Sequence, residues 1–116
     1  MEIIIKAKNI ELTDSLERFI NDKIGKLEKF LSYPGQEIFI EIEKETKHHK
    51  KGEVFSAEGI ISVPGKKIMA IAKGDDLMKA VMEVKEEMEI EIKKYKLKKI
   101  ELPRRQAKKQ SSKEVF

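Results

Sequence analysis

A chain of 116 residues, 40% charged and 40% hydrophobic, has the size and balance of one globular domain with a densely charged surface. It contains no cysteine, which excludes a disulfide framework and thiolate-held zinc or iron–sulfur centres and fits a reducing compartment. The net charge of +4 hides a division: residues 1–92 carry 15 Lys and Arg against 19 acids, whereas residues 93–116 carry 10 against only Glu101 and Glu114. A mildly acidic body with a strongly basic end points to an anionic partner, nucleic acid or an anionic membrane surface.

Residues 2–8 read as a short strand, because Ile3, Ile4 and Ile5 are β-branched and flanked by charge. Helix signals follow at Thr13-Asp14-Ser15. Asp14 and Glu17 have capping-box spacing, and Thr13 is an alternative N-cap. Leu16, Phe19, Ile20, Ile24, Leu27 and Phe30/Leu31 then form one apolar stripe, predicting about five helical turns before Tyr33-Pro34-Gly35. Residues 37–46 alternate, with Ile38, Ile40 and Ile42 on one side and Glu37, Phe39, Glu41 and Glu43 on the other. The polar run 47–52 reads as a hairpin loop. A third strand is expected over about 53–63, a tight turn at Pro64-Gly65, and a fourth strand over about 66–73 with Ile68, Ala70 and Ala72 or their neighbours inward. Gly74-Asp75-Asp76 caps a second helix of roughly six to seven turns, whose buried face is Leu77, Val81, Val84, Met88, Ile92 and Tyr95. The pattern fades after Leu97. Pro103 is expected to end regular structure, leaving 103–116 as a disordered basic tail after a domain of residues 1–102.

The order β-α-β-β-β-α predicts a two-layer α+β sandwich, with both helices burying one stripe against one face of a four-stranded sheet. A right-handed crossover through the first helix makes strands one and two parallel, and the later hairpins are antiparallel. Neither a signal peptide of ~7–15 apolar residues nor an apolar run of ~20 that could span a bilayer is present, so a cytoplasmic protein without membrane contact is expected.

No catalytic set can be assembled. The glycines form no phosphate-binding loop, so no cofactor is expected. His48 and His49 are adjacent and point to opposite faces of an extended chain, so a polar loop tip explains them better than a metal site. Asp75 and Asp76 are explained by helix capping. The lysines are different. Lys93, Lys94, Lys96, Lys98 and Lys99 crowd the end of the second helix, followed by Arg104, Arg105, Lys108 and Lys109. One or two would complement the helix dipole; the whole cluster fits phosphate neutralisation.

Three segments resemble the ribosome hibernation-promoting factors, also called ribosome-associated translation inhibitors or the sigma-54 modulation family. They are Ile3–Lys8 followed by Glu11-Leu12-Thr13-Asp14-Ser15-Leu16; Lys23 to Phe30, similar to the family's K-x-x-K-L-E-K-aromatic run; and Asp75-Asp76-Leu77-Met78-Lys79-Ala80-Val81 with Lys94-Tyr95-Lys96. The resemblance covers about residues 1–99 and is to the short forms. It implies a fold similar in appearance to double-stranded-RNA-binding domains. It also implies a site in the decoding channel of the small ribosomal subunit, on 16S rRNA, where messenger and transfer RNA would be excluded. The family commonly shows K-L-x-R-Q-L where this chain has Glu87-Met88-Glu89-Ile90-Glu91-Ile92, so Glu87 and Ile90 replace basic positions.

The leading expectation is therefore a non-enzymatic, stress- or stationary-phase-type translation inhibitor held on rRNA by Lys23, Lys26, Lys47, Lys50, Lys51, Lys94, Lys96 and Lys98. No small-molecule substrate is expected. The alternatives are a general structured-RNA-binding module, or a protein–protein regulatory adaptor using the acidic sheet face Glu37/Glu41/Glu43.

Overall fold

The computed structural model describes residues 1–31, 36–45 and 54–108, with side chains placed through residue 97. Strand β1 spans Glu2–Lys8, helix α1 Asp14–Gly25, β2 Glu37–Glu45, β3 Val54–Val63, β4 Lys66–Gly74 and helix α2 Leu77–Lys108. A 3-10 helix, Lys26–Phe30, continues directly from α1. The expected loop 47–52 lies outside the described residues.

The strands form one sheet in the order β1-β2-β3-β4. β1 and β2 are parallel, joined through α1; β2–β3 and β3–β4 are antiparallel. This is the expected α+β architecture. The register shows why one face is buried. Three rows cross the sheet: Ile3-Ile38-Ile61-Ile68, Ile5-Ile40-Gly59-Ala70 and Ala7-Ile42-Ala57-Ala72. Their side chains share one face because strand residues alternate. Leu16, Ile20, Ile24 and Leu27, together with Leu77, Ala80, Val81, Val84, Met88 and Ile92, cover that face and are buried with it. Burying one such aliphatic side chain contributes about 1.5–3 kcal/mol, so this layer contact dominates the stability.

Glycine matters at two places. Gly65 has φ +90, and Pro fixes the preceding φ near −65°, so Pro64-Gly65 closes β3–β4 as a type II turn. At Gly59 an added Cβ would collide with Met88 Sδ and lie 3.0 Å from Val84 Cγ1 and 3.3 Å from Ile40 Cδ1. The missing side chain is what lets α2 lie close over β3.

Three local expectations are corrected. Thr13, not Asp14, caps α1: its Oγ1 accepts from Leu16 N at 3.2 Å. The five-turn helix is three turns of α-helix finished by the 3-10 segment. The stripe explains the change: Leu16, Ile20 and Ile24 step by four, whereas Ile24, Leu27 and Phe30 step by three, the repeat of a 3-10 helix. Finally, α2 continues through Pro103 to Lys108 instead of stopping there. Leu, Lys, Arg, Gln and Ala around Pro103 are strong helix formers, which favours helix on both sides of the proline. At the other end of α2, Asp76 Oδ1 accepts from Met78 N at 3.0 Å and Lys79 N at 3.3 Å, as its position predicts.

Gly59→Ala should destabilise the fold by about 1–3 kcal/mol through overpacking. In a domain near 100 residues that lowers the thermal midpoint by roughly 4–8 °C per kcal/mol. A melt followed by circular dichroism, with Gly25→Ala as the control, checks it: a Cβ at Gly25 meets nothing within 4 Å.

Candidate nucleic-acid interface

The helix layer presents the organised basic surface. α2 lies beside α1 and the 3-10 helix, and the seam between them is marked by two half-buried phenylalanines, Phe19 and Phe30. Lys23 Nζ stands 5.7 Å from the centre of the Phe19 ring, one turn earlier on α1. Lys29 Nζ and Lys93 Nζ lie 5.3 Å and 4.9 Å from the centre of Phe30. Each such contact contributes about 0.5–1 kcal/mol at a solvated site and holds an ammonium group over the seam. Lys93 comes from α2 and Phe30 from the segment after α1, so the pair ties the two helical elements together.

Lys85, Glu89 and Lys93 form a triad along α2. Glu89 Oε1 lies 3.0 Å from Lys85 Nζ, and its Oε2 lies 3.0 Å from Lys93 Nζ. The hydrogen bond from Lys93, then that from Lys85, hold the Glu89 carboxyl below its ordinary value. Glu89 therefore neutralises part of the basic seam. Among the described residues, Lys26, Lys29 and Lys96 have no ion-pair partner and are available to an anion.

The structure gathers some of the expected residues and parts others. Lys23 sits on the seam, 3.6 Å from Asp22 Oδ2, and Lys26 is exposed at the start of the 3-10 helix. Lys96 falls on the flank of α2 that carries Lys85 and Glu89, because eleven and seven residues are close to whole numbers of turns. Lys94 falls on the opposite flank, toward β4, and pairs with Glu91 Oε2 at 3.7 Å. Lys98 belongs to the backbone of α2, but its side chain lies outside the described residues, as do Lys47, Lys50 and Lys51. Sequence reasoning left Lys29 and Lys93 out of the favoured set. The available signal was the Glu89–Lys93 spacing of four; the approach of Lys93 to Phe30 joins residues 63 apart and has no local signature.

The other face of the sheet differs in character. No helix covers it among the described residues. Ile4, Phe39 and Met69 are exposed there, and Glu37, Glu41, Glu43 and Glu58 lie on its two central strands. The molecule thus has a lysine-bearing helical side and a sheet side whose centre is acidic and apolar. Among the described residues no three His, Asp or Glu side chains converge on a common metal position, and no helix is long and apolar enough to cross a membrane.

A four-stranded mixed sheet with both helices on one face is the fold of a known family. Residues 3–100 match the family described as sigma 54 modulation protein / S30EA ribosomal protein, and the protein belongs to it. The ribosome hibernation promotion factor of Lactococcus lactis subsp. cremoris is 30% identical over 104 residues, 86% of this chain and 52% of that protein. The chain therefore spans about half the length of this curated relative. Two solved structures share the fold. The N-terminal domain of Protein Y from Thermus thermophilus superposes with a TM-score of 0.62 at 20% identity, covering 82% of this chain and 99% of that one. A ribosomal subunit interface protein from Coxiella burnetii gives 0.65 at 21% identity, covering 84% and 99%.

Glu89→Gln should free Lys85 and Lys93 for an external anion. The expected result is elution from heparin at higher salt than the unmodified protein, with equal or lower salt counting against the assignment. The pH dependence has a definite sign. A carboxyl whose folded pKa is lowered contributes stability that is complete above its unfolded value, about 4.3, and is lost as pH falls through the folded value. Glu89→Gln should therefore remove a small part of the fall in thermal midpoint seen on acidification below about pH 4.

Proposed function

We propose that this protein is a ribosome-associated hibernation factor, a cytoplasmic binding protein rather than an enzyme, that occupies the decoding channel of the small subunit and excludes messenger and transfer RNA sterically. The observation that carries the reading, beside the family match over residues 3–100, is the gathering of Lys23, Lys26, Lys29, Lys93 and Lys96 on the helical side. A polyanion is attracted to the Lys23/Lys26/Lys29/Lys93/Lys96 side and repelled by the central carboxylates of the sheet side. The helix layer then faces 16S rRNA. In this reading residues 1–102 form the ribosome-binding unit, and the basic residues that follow Lys96 along α2, with Lys47, Lys50 and Lys51, add phosphate contacts.

Lys94 has a smaller part in this arrangement than Lys93 or Lys96, since it stands on the β4 flank of α2. Glu87, on that same flank, lies away from the seam, so its negative charge is kept clear of the proposed RNA-facing side. The replacement of basic family positions by Glu87 and Ile90 is then compatible with binding through the seam.

Sedimentation with purified ribosomal subunits tests the proposal. Co-pelleting with the small subunit at low salt is expected, weakening as salt rises. Replacing Lys23, Lys26 and Lys29 by Gln together should weaken binding and flatten the salt slope by up to ~0.7–0.9 for each phosphate no longer neutralised. No co-sedimentation with small subunits at low salt would contradict the proposal. Equal affinity for bulk structured RNA in competition would favour a general RNA-binding module instead.

A further inference from the structure

We propose that the free edge of β4, together with the flank of α2 beside it, is a surface on which two copies of this chain associate, joining their sheets through antiparallel β4–β4 pairing. The inference does not depend on the ribosomal reading.

β4 is the last strand in the sheet and pairs only with β3. Its outward N–H and C=O groups therefore face no other strand among the described residues. Exposed edges are commonly blunted by charge, proline or a bulge. The centre of β4, Ile68-Met69-Ala70-Ile71-Ala72, has no charged residue and no proline. Met69 is 52% exposed and Ile71 62%. The other edge strand, β1, carries Lys6 and Lys8.

A groove of about 310 Å³ runs along this edge, lined by Glu58, Met69, Ala70, Ile71 and Glu87. It has an apolar floor and a carboxylate on either side. Among the described residues, Glu58, Glu87, Lys66 and Lys67 take part in no ion pair within the chain. A second copy supplies the complement. In an antiparallel pair centred on Ile68, Lys66 of one copy stands opposite Ala70 of the other, on the helix side where Glu87 lies. Lys67 stands opposite Met69, on the outer side where Glu58 lies. The two-fold axis repeats both contacts. A pair centred on Ala70 instead sets Lys67 against the other copy's Lys73, and like charges directly opposite are destabilising. Charge thus disfavours the Ala70 register, whereas the Ile68 register turns each lysine toward a carboxylate of the other copy.

The helices agree with that register. α2 runs back along β4, from Leu77 beside the strand's end to Tyr95, whose hydroxyl donates to Pro64 O at 2.8 Å. Ile68 is consequently level with about Ile90, which is 48% exposed on the β4 flank. α2 packs over both β3 and β4. With strands ~4.8 Å apart, two such helices related by the axis lie about 10 Å apart, the ordinary spacing of packed helices. Ile90 then meets Ile90 of the other copy at the axis. Face-to-face stacking of the outer sheet faces is the poorer arrangement, because it opposes Glu41, Glu43 and Glu58 to their own copies.

Sedimentation velocity of the purified, nucleic-acid-free chain from about 5 to about 500 µM tests this. A reversible dimer is expected. Ile71→Lys and Ile90→Glu, both at exposed positions, should each raise its dissociation constant at least about tenfold. Lys66→Glu and Glu87→Lys should each weaken it, and the two combined should restore it. Phe39→Lys, on the outer sheet face, should leave it unchanged. A monomer at the highest concentration would overturn the proposal. So would a dimer indifferent to Ile71→Lys, a dimer abolished by Phe39→Lys, or no restoration in the combined charge reversal. Circular dichroism establishes that each variant is folded. Should Ile90→Glu misfold, Ile71→Lys decides alone.

Discussion

Met88, Val84 and Ile40 close over Gly59, and that contact sets the position of α2 on the sheet. Only a residue without a Cβ permits the helix to lie so close across β3 and β4. With α2 in place, the isoleucine rows of the inner face are sealed from water, and α1 completes the layer beside it. Because both helices lie on this one face, the other carries no helix among the described residues. The distribution of charge follows from the same packing. Lysines on the outward sides of the helices gather along the α1–α2 seam, whereas the odd-numbered glutamates of β2, and Glu58 of β3, are turned to the opposite face by strand alternation.

The two faces thereby acquire separate chemistry. Phe19 and Phe30 hold Lys23, Lys29 and Lys93 in place along the seam. Glu89 restrains two of the basic groups on α2. The β4 edge lies apart from this seam, on the other flank of α2. An association through that edge therefore leaves the lysines facing outward, and it uses Glu87 and Ile90.

Much of the fold was legible because the signals were periodic. Alternation from Ile38 to Ile42 fixed the buried side of β2, and Pro64-Gly65 located the turn. The crossover rule gave the parallel pair. Legibility failed where a local signal had competitors. Asp14 and Thr13 both suit an N-cap, and only geometry chose Thr13. Pro103 argued for a stop, but the helix-forming residues around it continue the backbone to Lys108. The change from α to 3-10 was present in the shift from four-residue to three-residue steps after Ile24, a shift that a single stripe conceals. The candidate site was less legible than the fold. Charge counting placed the basic end of α2, yet it treated Lys94 and Lys96 alike although about 200° of helix separates them. The approach of Lys93 to Phe30 depends on tertiary packing alone.

The central claim is that the helix layer, not the sheet, faces ribosomal RNA. A map of the protein bound to the small subunit, at a resolution sufficient to distinguish helices from sheet, tests it most directly. The account predicts density in the decoding channel with α1, the 3-10 helix and α2 toward the rRNA backbone and the outer sheet face directed away from it. Density with the Glu41/Glu43/Glu58 face against RNA, or a position outside the channel, would contradict it.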